Sequence, residues 1–121
     1  MFLVDSNIII YSFFLEHAYL RSLIVTDGTY VSEISRVEVL GYHKLSPKEE
    51  IYFRKLFSLV PIIAPSQVIF DTAIEIRKKH NLNLGDSIIG ATALSHGLSI
   101  YSRNLKDFEK INNIICVNPV L

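Results

Sequence analysis

Short apolar segments alternate with amphipathic ones along this chain, and the alternation limits the fold more than any other feature. Met1–Val4, "TYVSE" (29–33), "VPIIAP" (60–65), "LSIYS" (98–102) and "IICVN" (114–118) read as strands, since apolar, β-branched and aromatic residues dominate them. The prolines around the third place it near a sheet edge. Helical signals fill the gaps. Asp5 or Ser6 can cap a helix over about 7–15. Residues 17–28 suit a short helix stopped by Asp27-Gly28, and 34–44 carry Ile34, Val37 and Leu40 at helical spacing. Ser46-Pro47-Lys48-Glu49 starts a helix that should run to about Leu59. Ser66 opens another towards "RKKH" (77–80), and "GDSIIGATALSHG" (85–97) is a small-residue helix with Gly97 as its stop. Strands and helices in this order predict one α/β domain, a mainly parallel, doubly wound sheet with helices on both faces.

The length, 121 residues with 50% hydrophobic, suffices for one core and excludes the disordered class. Twelve basic and twelve acidic residues cancel, so any attraction to phosphate must come from local patches. The single cysteine, Cys116, allows no internal disulfide and reads as a packed strand thiol. The apolar start lacks a basic leader and carries Asp5, which argues against an export signal. No apolar stretch reaches the roughly 20 residues of a membrane span. A soluble cytoplasmic protein is the expectation.

Four polar places interrupt this pattern. Asp5 follows the first strand and Asp86 opens the small-residue helix; each could be no more than a helix cap or a dipole partner. Glu38 lies on the same stripe as Ile34, Gly41 and Tyr42, where a carboxylate is uncommon unless paired or bound to metal. "YSRNLKDFEK" (101–110) ends a strand with hydroxyl, guanidinium, amide and carboxylate groups, among them Ser102, Asn104 and Asp107. In parallel α/β sheets, sites form beyond the carboxyl ends of strands. Oxygen-rich side chains converging there make a hard-cation site suited to Mg²⁺ or Mn²⁺. Such an ion offsets their mutual repulsion and can activate water against a phosphodiester. There is no Gly-rich phosphate loop and no GxSxG, and His17, His43, His80 and His96 lack metal-ligand spacing.

These motifs resemble the PIN-domain ribonucleases, in particular the VapC-like toxins of toxin–antitoxin pairs. "FLVDSNIIIY" is similar to the family's strand-then-"DTN" opening, with Ser6 at the usual Thr position. "SRVEVLGY" (35–42) resembles its second motif, and "LGDSIIGATALSHGLSIYSRNLKDF" (84–108) its third and fourth. The resemblance implies a three-layer α/β/α fold and metal-dependent cleavage of single-stranded RNA. It also implies an antitoxin partner and a homodimer. Carried over by position, Asp5, Glu38 and Asp86 become the acidic metal-binding core, with Asn104 or Asp107 as the fourth site residue and Ser6 and Ser102 as supporting hydroxyls.

RNA must reach an acidic site, so Arg36, Lys44, Arg103 and Lys106, close in sequence to the motifs, are candidate phosphate contacts. Arg77-Lys78-Lys79-His80 reads instead as a solvated helix end. Tyr11, Tyr42 and Tyr101 could stack bases, although core packing is the commoner role. A receiver-type phosphoacceptor domain shares the length and the carboxylates. It would want a pair of acids after the first strand and a Lys after the last, where Asp5-Ser6 and Asn118-Pro119 stand. A haloacid-dehalogenase phosphatase would want Asp where Asn7 stands. A catalytically silent PIN fold acting as a binding module is the remaining alternative.

Overall fold

In a computed structural model describing residues 1–121, Phe2–Val4 forms the central strand, β1. It pairs in parallel with Thr29–Ser32 (β2) on one side and Ser99–Tyr101 (β4) on the other. Ile62–Ile63 (β3) and Cys116–Val117 (β5) complete a five-stranded parallel sheet in the order β3-β2-β1-β4-β5. The proline-flanked strand is an edge, as its sequence predicts.

Alternation within β1 builds the three layers. Leu3 and Val4 are both fully buried, and they point to opposite faces. Leu3 and Ile100 pack against Ile69, Ala73 and Ile76 of Gln67–Lys79 (α5) and Ile88 and Ile89 of Leu84–His96 (α6). On the other face, Val4 and Val31 meet Ile8 and Ile9 of Ser6–Tyr11 (α1) and Leu20 and Ile24 of Tyr19–Ile24 (α2). The same cluster takes Val39 of Glu33–Leu40 (α3) and Phe53, Leu56 and Phe57 of Pro47–Leu59 (α4). Each fully buried side chain of this size stabilises the fold by about 1.5–3 kcal/mol relative to exposure.

Capping sets the helix ends. Ser46 and Glu49 form both halves of a capping box on α4. Gly97, at φ +64°, ends α6 in the left-handed conformation that glycine adopts without a Cβ penalty. α1 stops at Tyr11, short of the expected residue 15. Ser12 turns its hydroxyl back to the Ile9 carbonyl, and Arg21 takes the carbonyls of Ser12 and Phe13 at 2.7 and 2.6 Å, so the chain leaves the helix. A 3₁₀ turn, Leu15–His17, and α2 then fill the stretch before β2.

α3 corrects the expected helix over 34–44 in length and in facing. It starts one residue earlier, capped by Ser32, and stops at Leu40. Its buried residues are Ser35 and Val39, while Val37 is 63% exposed. A one-turn helix, Leu105–Phe108 (α7), follows β4 and is anchored by the fully buried Phe108. Cys116 is half-buried on β5; burial, then the charge of Asp5, pushes its thiol up to about 11 and keeps it protonated.

Candidate active site

The sheet order puts β2 on one side of β1 and β4 on the other, so the chain winds away from β1 in both directions. The carboxyl ends of β1 and β4 therefore flank the switch point where such sheets bind ligands. Asp5 directly follows β1, and its N–H donates to the Tyr101 carbonyl at 2.9 Å. Ser102 directly follows β4. The two meet: Ser102 Oγ donates to Asp5 Oδ2 at 2.8 Å, and both residues are buried.

Asp5 has two local duties. It caps α1, accepting from the Ser6 N–H at 2.8 Å through Oδ1, and offers Oδ2 to the crevice. Ser6, on the first turn of α1, lies 2.8 Å from Glu38 Oε1 and 2.9 Å from Ser35 Oγ. A carboxylate can only accept, so the single Ser6 proton serves Glu38, and Ser35 supplies its own to Ser6. This contact explains the facing of α3, whose buried stripe carries Ser35 and sets Glu38 at its rim. α6 brings Asp86. Asn83 caps that helix by accepting from the Asp86 N–H at 2.7 Å, which orients the carboxylate beside Asp5. Gly85 lets the first turn of α6 approach Glu38: a Cβ there would lie 3.0 Å from Glu38 Oε2.

Asn104 ties the fourth position together. Its amide gives one proton to Asp86 Oδ2 at 2.9 Å and the other to Asp107 Oδ2 at 2.8 Å. Asp107 is also paired with Lys110 at 3.2 Å. Asn104 thus stands in the cluster, and Asp107 stands behind it.

Charges in this crevice are only partly compensated. Burial raises the Asp5 carboxyl, the hydrogen bonds from Ser102 and Ser6 pull it back, and Glu38 raises it again. Burial, then the charge of Asp5, pushes Asp86 up to about 6, with smaller contributions from Asp107 and Glu38. Asp107 moves the other way, held below the usual carboxylate range first by the Asn104 amide and then by Lys110. Glu38 thus disfavours the charge on Asp5, and Asp5 and Glu38 both disfavour that on Asp86.

Comparison with known proteins identifies the family to which this fold belongs. The family model described as "PIN domain" matches residues 2–114. The chain belongs to the PIN-domain family. Ribonuclease VapC1 of Rickettsia felis is 31% identical over 104 residues, covering 80% of this chain and 72% of that protein. A toxin–antitoxin complex from Klebsiella pneumoniae contains a chain of 32% identity and TM-score 0.78, with 98% of each chain covered. FitAcB from Neisseria gonorrhoeae, at 24% identity, TM-score 0.79 and 98% coverage of each chain, shares the fold. Receiver and haloacid-dehalogenase readings are displaced by this membership.

The donor set of this PIN domain suits a hard divalent cation. No three Asp, Glu, His or Cys side chains close into a ready-made cage. Mg²⁺ does not need one, since it is usually held by one or two carboxylates with water and substrate oxygens completing its shell. Burial first, and neighbouring carboxylates after it, raise Asp5 and Asp86, and a bound cation offsets both effects.

Two residues escaped sequence reasoning. Asn7 links Asp5 Oδ2 and Ser102 Oγ, each at 3.3 Å from its amide, and accepts the Arg103 N–H at 3.2 Å. Ser35 buttresses Ser6. The helical spacing of Ser35, one turn before Glu38, was the available clue. Of the basic candidates, Arg103 stands at the site, directly between Ser102 and Asn104. Arg36 faces away, bonded to Glu33 at 2.6 Å and lining a surface cavity with Leu40, Arg54, Phe57 and Ile62. Lys44 and Lys106 are exposed on the turns after α3 and within α7.

Proposed function

We propose that this PIN domain is a metal-dependent endoribonuclease that cleaves single-stranded RNA, the toxin of a toxin–antitoxin pair. One observation carries the reading: Asp5, Glu38 and Asp86 converge at the β1/β4 switch point, linked through Ser6, Ser102 and Asn104, in a chain 31% identical to a ribonuclease. Asp5 and Asp86, with Glu38 across Ser6, would hold Mg²⁺ or Mn²⁺. Such an ion supplies an activated water and neutralises charge building on the phosphate. The chain's own residues prepare that chemistry. Ser102, Ser6 and Asn7 orient Asp5, the first two pulling its carboxyl back against the rise that burial causes, and Asn104 fixes Asp86 against Asp107. Asp107 supports the position from behind.

An antitoxin has a surface to use. A cavity of about 270 Å³ between α1, α3 and α4 opens beside Glu38, lined by Ile10, Val39, Tyr42, Leu45 and Phe53. An apolar segment seated there could direct a cation at the carboxylates, the apolar contact supplying affinity and the cation inhibition. Phe70 and Ile74, exposed one turn apart on α5, offer a face to a second copy. No helix is long and apolar enough to cross a membrane, and the cytoplasm, where RNA is met, is the proposed place of action. Expression of the chain alone and together with its genomic neighbour tests the reading. Growth arrest with RNA degradation, relieved by the neighbour, is expected. Normal growth on expression of an active, correctly folded chain alone would overturn the toxin assignment.

A further inference from the structure

Arg103 is the one arginine of five whose guanidinium meets neither a carboxylate nor a carbonyl. Arg36 and Arg54 pair with Glu33 and Glu50, Arg21 donates to the carbonyls of Ser12 and Phe13, and Arg77 donates to that of Leu82. The Arg103 guanidinium instead lies over the Tyr11 ring, 4.4 Å from its centroid, and donates through Nη1 to the Tyr11 hydroxyl. Tyr11 is braced from the side by His17, their ring centroids 5.0 Å apart. The Arg103 backbone is held too, by Asn7 Oδ1. Stacking and one hydrogen bond fix the orientation of this planar fork while leaving its charge and most of its five donors free.

Position gives that arrangement a use. Arg103 stands between Ser102, which holds Asp5, and Asn104, which bridges Asp86 and Asp107. A crevice of carboxylates repels the polyanion it must cut, so a fixed, unneutralised cation at its rim is what admits a phosphate. A guanidinium already oriented loses less freedom on gripping a phosphate bidentately than a mobile one. We propose that Arg103 anchors an RNA backbone phosphate adjacent to the scissile one, with Tyr11 as its positioning residue. This rests on the ribonuclease reading above.

The test is cleavage of a labelled single-stranded RNA oligonucleotide in Mn²⁺, with kcat and KM resolved over a series of KCl concentrations. Arg103→Ala should raise KM at least about tenfold, the scale of a hydrogen bond to a charged group, with kcat little changed. The plot of log KM against log salt should become shallower by about 0.7, the loss of one single-strand phosphate contact. Arg103→Lys should keep the wild-type salt slope and fall between the two in KM. Tyr11→Leu should raise KM about two- to fivefold, the scale of an exposed cation–π contact, without changing the slope. Arg54→Gln, which removes an equal charge on α4, should match wild type. Arg103 is exposed, so its variants should fold whatever becomes of Tyr11→Leu. Wild-type KM and salt slope in Arg103→Ala would overturn the phosphate anchor alone. Wild-type protein that cleaves no RNA would overturn the ribonuclease reading, and the anchor with it.

Discussion

Replacing Asp86 by Asn should make the metal-free protein more stable above neutral pH while abolishing RNA cleavage. Burial, and then the charge of Asp5, raise this carboxyl from 3.8 to about 6 in the folded protein. In the unfolded chain it returns to its ordinary value. Between those values the folded state holds a proton that the unfolded state has released, so stability falls as pH rises. The contribution is complete below about pH 4 and lost above about pH 6, where the fold carries a poorly solvated charge. At about 1.4 kcal/mol per tenfold change in proton affinity, the raised value corresponds to about 3 kcal/mol. Solvent at the open mouth of the site screens this to about 1–2 kcal/mol. The amide keeps the shape of the side chain, and its oxygen can still accept the Asn104 bond that Asp86 Oδ2 accepts at 2.9 Å. Urea unfolding in EDTA should therefore show Asp86→Asn more stable by about 1–2 kcal/mol near pH 8 and no more stable than wild type near pH 4. At about 4 °C per kcal/mol, the Tm near pH 8 should rise by about 4–8 °C. A gain independent of pH, or a loss near pH 8, would refute the reasoning.

Other outcomes follow from the same contacts. Ser102→Ala removes the hydrogen bond that restrains the rise of Asp5, so the acidic limb of the pH–rate profile for RNA cleavage should move to higher pH. Metal affinity should fall at least about tenfold, and an unmoved limb would show that Ser102 does not tune Asp5. A hundredfold excess of Mn²⁺ over its dissociation constant should stabilise the wild type by about 2.7 kcal/mol, and Asp5→Asn should lose most of that. A melting curve indifferent to millimolar Mg²⁺ and Mn²⁺ contradicts the site. Gly85→Ala improves helix propensity by about 0.5–1 kcal/mol but sets a Cβ 3.0 Å from Glu38 Oε2. Its urea midpoint should hold or rise while its cleavage rate falls; full activity would remove Glu38 from the machinery.

Where structure follows local chemistry, the sequence was legible. The Ser46–Glu49 capping box, the Gly97 stop and the proline-bounded edge strand each depend on residues within a few positions. So does the cap of Asp5 on α1, which is why its position after a buried strand could be read as a site. α3 was harder. Its apolar residues, Ile34, Val37 and Leu40, suggest one face, yet the buried stripe carries Ser35, because its partner is the Ser6 hydroxyl rather than a side chain of the core. Hydrophobic spacing cannot register a polar residue buried by a distant hydrogen bond. Asn7 escaped for the same reason: its partners, Ser102 and Arg103, lie at the far end of the chain and reach it only through the pairing of β1 with β4. Arg36 shows the converse. Proximity in sequence to Glu38 placed it near the site, but a two-residue step on a helix turns it to the other side of α3, towards Glu33.

Cleavage of an end-labelled single-stranded RNA by the purified chain, in Mg²⁺, in Mn²⁺ and in excess EDTA, bears most directly on the claim that Asp5, Glu38 and Asp86 form a metal-dependent ribonuclease site. The wild type should cut with either ion and stop in EDTA, and folded Asp5→Asn should be inactive in both. Cleavage that persists in EDTA, or survives in Asp5→Asn, would contradict the account.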